Sequence, residues 1–206
     1  MRTPSFSLRG DCVELISLTR QQAAALVAAA DVDRSSYGFT EVPADEASMT
    51  RYVDKLLAQR DADDAVPFAQ RLVDGGRIVG CTRFMELRWW TADGSTPEEV
   101  EIGGTWLAAD VQRSGVNTEA KLLLLTHAFE TWRVRRVALC TDARNEASRT
   151  AIERIGARFE GVLRNHRPST VTGEHDRVRN SALYSITDDE WPIVRSGLDA
   201  RMGGRR

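Results

Sequence analysis

The 206-residue sequence predicts an α/β protein, α+β in detail, built on one mixed and mostly antiparallel sheet flanked by helices. Three observations carry that expectation. Apolar residues at strand spacing and at helical spacing follow one another in the order β-α-α-β-β-β-α-β-α-β-β. Asp74-Gly75-Gly76 sits between two strand-like runs and is a strong hairpin signal. Two strand–helix units follow the hairpin-connected strands, so the sheet cannot be purely parallel.

Residues 13–18 read as a first strand, ended by Thr19 as a helix cap, and the Ala-rich stretch 21–30 as a helix. Residues 31–42, with Ser35, Ser36 and Gly38 before Pro43, read as a loop. Met49, Tyr52, Val53, Leu56 and Leu57 give residues 44–59 helical spacing, and Asp61, Asp63 and Asp64 close that helix. Strands over 66–73 and 77–87 surround the hairpin turn, and a polar loop over 91–97 leads to a strand over 100–107. In that strand Val100, Ile102 and Trp106 alternate with Glu101, Gly103 and Thr105.

An apolar helix is expected over 118–132, then a short strand over 136–140 and a helix over 145–155 stopped by Gly156. A strand over 159–164, a polar loop over 165–177 and a last strand over 179–186 follow. Thr187-Asp188-Asp189-Glu190 looks like a capping box that opens a helix around 191–198, with a loose tail over 203–206. No repeat, low-complexity block or linker interrupts the chain, so a single domain over 1–206 is expected, with its core over about 11–190.

Composition bounds the function. A hydrophobic fraction of 42% supports a proper core, and a formal charge of −2 with a pI near 6.0 argues against a general nucleic-acid binder. Cys12, Cys81 and Cys140 are odd in number and far apart, with no Cys-x-x-Cys pair, which fits a reducing compartment better than secretion. No signal peptide is evident behind Arg2, Arg9, Asp11 and Glu14, and the longest apolar run, 23–30, is too short to span a membrane. The expectation is a cytoplasmic protein with no membrane or nucleic-acid partner and no metal.

The stretch Gln112-Arg113-Ser114-Gly115-Val116-Asn117 joins the 100–107 strand to the apolar helix. A strand, a short turn bearing a glycine and a helix N-terminus together make an anion cradle. The first N–H groups of a helix have no internal partner, and the helix dipole adds positive potential there. A triphosphate-binding loop needs Gly-Lys-Ser/Thr, but Val116 and Asn117 follow Gly115; a dinucleotide fingerprint needs three glycines, and only Gly115 is available.

What remains resembles the pattern Gln/Arg-x-x-Gly-x-Gly/Ala, the pyrophosphate loop of the GNAT superfamily of acetyltransferases. Gln112 and Gly115 match, and Asn117 departs at the last position. Asn145-Glu146-Ala147-Ser148, about 30 residues on, resembles the family's Asn-x-x-Ser/Ala helix start, and the element order is the family's. The resemblance implies acetyl-CoA as co-substrate. Its pyrophosphate would lie on the N–H groups of Gln112, Arg113, Ser114, Gly115, Val116, Asn117 and Thr118. Its pantetheine arm would run beside the backbone of Leu107 to Ala109 and bond to the Asn145 side chain.

The resemblance further implies transfer of an acetyl group to a primary amine by direct attack. The family's proton-donating tyrosine would fall at Ile152, so that mechanism is absent here. The branch resembling the ribosomal-protein N-terminal acetyltransferases, the RimJ and RimL type, uses a serine at the Asn-x-x-Ser position, which is Ser148. A hydroxyl there can stabilise the departing thiolate. The acceptor amine also has to lose a proton, and Glu101, on the strand that enters the turn, is the candidate base, with Glu86 as a substitute. Glu101 otherwise reads as a surface residue of a half-buried strand.

The resemblance to that branch implies a protein N-terminus as the acceptor. The alternatives are another acyl-CoA or a small-molecule amine on the same fold, or a silent CoA-binding domain, which Ile152 favours. His166 and His175 read as solvent-exposed loop residues, and His127 as a satisfied core or interface residue. Arg133, Arg135 and Arg136 read as a solvated basic cluster or, with Arg113 and Arg144, as neighbours of the coenzyme 3′-phosphate. Trp89 and Trp90 offer either an acceptor wall or the contact of a homodimer.

Overall fold

A computed structural model describes residues 5–91, 94–171, 173–174 and 176–204. Its strands are β1 (Leu8–Arg9), β2 (Val13–Ser17), β3 (Ala65–Leu72), β4 (Ile78–Arg88), β5 (Glu99–Leu107), β6 (Arg136–Asp142), β7 (Arg158–Pro168) and β8 (Val178–Thr187). They form one sheet in the order β1-β2-β3-β4-β5-β6-β8-β7. Every neighbouring pair is antiparallel save β5 and β6, which run parallel because α3 (Val116–Thr126) carries the chain from one to the other. The remaining helices are α1 (Ala23–Ala30), α2 (Glu46–Asp61), α4 (Glu146–Arg154) and α5 (Trp191–Gly203). The mixed, mostly antiparallel sheet is therefore present.

Local signals account for most boundaries. Thr19 receives Gln22 in a capping box, its N–H donating to Gln22 Oε1 at 2.9 Å, although the first turn behind it is a 3-10 turn before α1 begins. Asp45 caps α2 by accepting from the Ser48 N–H at 2.8 Å. At residues 187–190 only half of the expected box forms: Glu190 accepts from the Thr187 N–H at 3.0 Å, but α5 starts at Trp191 and runs to Gly203. The tail expected to be loose is thus helical up to Gly203.

Two departures have physical causes. The helix expected over 118–132 is α-helical only to Thr126; His127–Trp132 continue as a wider π-type turn. Residues five apart share a face only in such a widened turn, and His127 and Trp132 both pack on Phe84, with ring centroids at 6.2 Å and 4.6 Å. The strand expected over 159–164 runs from Arg158 to Pro168, because Arg167 and Pro168 still pair with Arg179 and Val178 of β8. β7 is the sheet edge, where a proline costs no inner hydrogen bond.

The sheet separates two layers. Thr82 and Phe84 of β4 face α3 and the turn behind it, through Lys121 and His127, while Cys81, next to Thr82, faces Tyr52 of α2. α1 packs on β4 and α2, and α3 packs on β1, β2 and α5. Two charged residues of α3 are buried inside its layer. Glu119 accepts from the backbone N–H groups of Asp11, Cys12 and Val13 at 2.8, 2.8 and 2.7 Å, pinning the start of β2 to the helix. Lys121 donates to Thr105 Oγ1 at 2.6 Å, tying the same helix to β5.

Candidate active site

The parallel pair β5–β6 holds for three rungs only, Glu99 with Arg136, Val100 with Val137 and Glu101 with Ala138. Beyond Glu101 the strands splay, and β5 keeps a strand partner on the β4 side alone. Gly104, with φ at 57°, lies in the bulged part of this stretch, and a Cβ there would collide with the Arg83 guanidinium at 2.5 Å. Splaying leaves an open seam through the sheet. An extended chain can lie in it against free β5 backbone.

The seam ends at the predicted cradle. Arg113 and Gly115 take left-handed angles, φ 61° and 108°, on either side of Ser114, so successive N–H groups turn toward one side. The first intrahelical bond of α3 runs from the Glu119 N–H to the Gly115 carbonyl at 3.0 Å. The N–H groups of Val116, Asn117 and Thr118 therefore have no intrahelical acceptor. Among the described residues only Val116 has a substitute, a 3.4 Å contact with Ser114 Oγ, which itself donates to the Val111 carbonyl at 2.5 Å. An anion at this turn meets backbone donors, the positive helix end and the exposed Arg113.

Three expected members of this site are differently employed. The Gln112 N–H donates to the Ala109 carbonyl at 3.3 Å, so it belongs to the turn itself. Its side chain bridges Ser36 Oγ at 2.8 Å and the Leu107 carbonyl at 3.0 Å, which holds the 31–42 loop against the cradle. Leu107 to Ala109 do not offer a free strand edge. The Leu107 carbonyl also accepts from Tyr37 at 3.0 Å, the Ala108 N–H donates to Val79, and Ala109–Val111 form a 3-10 turn. The free edge lies earlier, along β5 beyond Glu101. Asn117 Oδ1 is buried without a partner among the described residues.

α4 begins at the far wall of the seam. Asn145 caps it, its Oδ1 accepting from the Ser148 N–H at 3.0 Å, so its carbonyl oxygen is used within the helix and its amide N–H₂ remains as a donor. Ser148 is half-buried on the same turn. Ile152 is buried with the core, and a phenol reaches this helix from β8, where the Tyr184 hydroxyl donates to Glu153 Oε1 at 3.0 Å. That buried Tyr184 hydroxyl, which also accepts from Arg149 at 3.0 Å, carried no signal in the sequence because its partners lie on α4.

On the opposite face of the sheet lies a cavity of about 260 Å³, lined by Glu86, Glu99, Glu101, Arg136, His166 and Arg167 among others. Glu101 is buried rather than on the surface. Arg167 reaches it from β7 as a fork, donating to Oε1 at 2.9 Å and Oε2 at 2.7 Å. The alternation that places Glu101 opposite Val100 and Ile102 is correct, but strand β7 and Arg167 cover that face too. Glu86 holds a left-handed angle, φ 51°, where β4 loses register with β5, and its Oε1 stands 3.5 Å from the same guanidinium.

His166 is a strand residue in this cavity and not a solvent-exposed loop residue; its Nδ1 lies 3.8 Å from Cys140 Sγ. Burial, with Arg167 beside it, holds its imidazole below the usual value. His175 lies outside the described residues. His127 is in the core, but its Nε2 has no partner among the described residues, so it is not satisfied as expected, and burial pushes its pKa down to about 4. The basic cluster divides: Arg133 is exposed, Arg135 pairs with Asp188 at 2.7 Å, and Arg136 turns into the cavity, forking to Glu160 at 2.6 Å and reaching Glu99 at 3.2 Å. Arg144 is held by Asp142 and Glu174. Trp90 is 59% exposed beside the 91–97 loop.

Comparison with known proteins bears on this geometry. The profile of the acetyltransferase (GNAT) domain matches residues 13–158. A Bacillus subtilis (strain 168) protein named "Putative ribosomal N-acetyltransferase YdaF" is 38% identical over 88 residues, 43% of this chain and 45% of that one, so the chain spans under half the length of this curated relative. The crystal structure of a GCN5-related N-acetyltransferase from Brucella melitensis superposes with a TM-score of 0.81 at 29% identity, covering 97% of this chain and 86% of the other. Mycobacterium smegmatis RimJ in complex with CoA-disulfide superposes with a TM-score of 0.77 at 23% identity, covering 98% and 96%, a likeness of fold.

Proposed function

The chain belongs to the GNAT acetyltransferase family and is an acyltransferase, and on that premise we propose that it carries an acetyl group from acetyl-CoA to a protein N-terminal amine. One observation carries the reading: the seam between β5 and β6 has the anion cradle at one end and a charged cavity at the last paired rung, Glu101 with Ala138. Donor and acceptor can then reach the same seam from opposite faces. The N–H groups of residues 113–118 would hold the pyrophosphate, and the free edge of β5 beyond Glu101, with the Asn145 amide, would hold the pantetheine arm. The thioester would come to rest near Ser148.

The acceptor amine enters through the cavity and attacks the thioester carbonyl directly, with Ser148 donating a hydrogen bond to the sulfur as thiolate charge develops. Glu101 supplies the negative charge that meets the ammonium, its position fixed by Arg167. The choice of a protein N-terminus is supported by the similarity to the named ribosomal N-acetyltransferase. It is also supported by a physical point. An α-ammonium, with a pKa near 8, gives up its proton far more readily than a lysine near 10.4.

Isothermal titration with acetyl-CoA, paired with a thiol-release assay over a panel of peptide and small-molecule amines, tests the reading. Release of thiol with peptides bearing free N-termini, and little with N-blocked lysine peptides, is the expected result. Binding without turnover on any amine would make this a silent coenzyme-binding domain. Turnover confined to small amines would move the acceptor class.

A further inference from the structure

We propose that His166, and not Glu101, takes the proton from the acceptor ammonium. This rests on the amine-acetylation reading above and adds the residue that makes the amine nucleophilic.

Position comes first. Glu101 and Ala138 form the last rung of β5 with β6, and the next β6 residue on the same face is Cys140. His166 Nδ1 stands 3.8 Å from Cys140 Sγ, so the imidazole overlies β6 one step inside the opened seam. It also lines the same cavity as Glu101. A thioester drawn through the seam therefore meets an acceptor held between these two residues.

Availability comes second. Both Glu101 oxygens accept from the Arg167 fork. Neither oxygen can turn to an incoming ammonium without displacing a donor of that fork, whose guanidinium is largely buried. Among the described residues His166 has no such ionic clamp; its ring contact is with the Cys140 thiol, which burial keeps protonated. In the tautomer this role requires, Nδ1–H donates to the sulfur and Nε2 is the nitrogen left to accept. Arg167 on its own strand and Arg179 on β8 disfavour a charged imidazole, while Glu101 on β5 and Glu86 on β4 favour one. Burial adds to the first pair, so the ring is neutral at pH 7 and ready to receive a proton.

The step balances as follows. One N–H bond of the ammonium breaks and its proton moves to His166 Nε2, which later passes it to solvent. The freed nitrogen pair forms the C–N bond, the C–S bond breaks, and the second proton leaves the adduct and ends on the sulfur. No oxidation state changes. Passing a proton from an α-ammonium near pKa 8 to an imidazole below its usual 6.5 costs a factor of roughly 30 or more, whereas a lysine near 10.4 costs roughly 10⁴. The roughly 250-fold difference between the two comes from the amines themselves and would be the same for any base.

The test is the pH dependence of kcat/KM for a peptide with a free N-terminus, in the wild type and in His166→Gln, with acetyl-CoA affinity measured alongside. His166→Gln is expected to lower kcat/KM at pH 7 by about 100-fold or more, the gap closing toward pH 9 as the amine loses its own proton, with coenzyme affinity unchanged. Added imidazole is expected to restore part of the activity of His166→Ala, which a merely structural histidine would not allow. A His166→Gln enzyme within about threefold of wild type across the pH range, or absent imidazole rescue, overturns the inference while leaving the acetyltransferase reading intact. A wild type that transfers to no amine overturns both.

Discussion

Lys121 gives the sharpest physical test of the fold. It is an ammonium-bearing side chain that is only 6% exposed, on a helix whose neighbours are leucines, and its polar contacts are two hydroxyls, Thr105 Oγ1 at 2.6 Å and Thr82 Oγ1 at 3.4 Å. No carboxylate accepts from it among the described residues. Desolvation alone pushes its pKa from 10.5 down to about 7. The unfolded chain holds this proton up to about pH 10.5 and the folded chain gives it up near 7. Between those values the unfolded state binds more protons, so stability rises with pH.

The magnitude follows from that shift. At pH 7 the folded lysine is half protonated, and by pH 8.5 it is almost wholly neutral, so integrating the difference in bound protons gives a gain of about 1.6 kcal/mol over that interval. For a chain of this size that is roughly 3–6 °C in Tm. Lys121→Met keeps a similar volume and removes the titration. Urea unfolding followed by tryptophan fluorescence at pH 7.0, 7.75 and 8.5 is the assay. Wild type is expected to gain on Lys121→Met by about 1.6 kcal/mol across the series. Burial also raises the thiols of Cys12 and Cys81 to about 12, and this weakens the fold once free thiols ionise near 9.0, but equally in both proteins. Stability curves that stay parallel from pH 7 to 8.5 would refute the reasoning, because the lysine would then carry the same charge folded and unfolded.

Glu119→Gln is expected to cost about 3 kcal/mol in urea unfolding, since a carboxamide cannot accept at both ends from the Asp11, Cys12 and Val13 N–H groups; an unmoved midpoint would contradict this. Ser148→Ala is expected to lower kcat by about 10- to 100-fold with little change in acetyl-CoA affinity, and an unchanged rate would remove the hydroxyl from the chemistry. Gly115→Ala, at φ 108°, is expected to destabilise by about 1 kcal/mol or more. It is also expected to weaken acetyl-CoA binding in calorimetry by about tenfold.

The two sides of the site differed in how far the sequence disclosed them, and the reason is physical. The cradle is made by consecutive residues, so a turn bearing Gly115 before an apolar helix already implies a left-handed backbone and free N–H groups. The element order and the hairpin at Gly75 and Gly76 were legible for the same reason. The acceptor cavity is made by side chains that meet only after folding. Arg167 lies 66 residues beyond Glu101, and His166 lies 26 beyond Cys140, on a stretch that reads as loop because it is polar. Nothing local in the sequence shows that the chain entering β2 offers three donors to Glu119, or β5 a hydroxyl to Lys121. The occupation of Leu107 by Tyr37 and Gln112 was hidden likewise, since Tyr37 comes from a loop 70 residues away.

These partnerships also explain how one seam can serve an anionic donor and a cationic acceptor. Of the carboxylates flanking the cradle in the chain, Asp110 is held by Arg77 at 2.6 Å and Glu119 by the N–H groups of Asp11, Cys12 and Val13, so an incoming pyrophosphate meets neither as a free charge. In the cavity Arg136 is held by Glu99 and Glu160, and Arg167 by Glu101, so an incoming ammonium meets no unpaired guanidinium from these two. Each side has its repelling charge already bound by a partner. The two fields are kept apart by the paired rungs of β5 and β6 and meet where that pairing stops, beyond Glu101 and Ala138. His166, one step past that point, can be neutral where a permanent cation would compete with the acceptor and a permanent anion would repel the leaving thiolate.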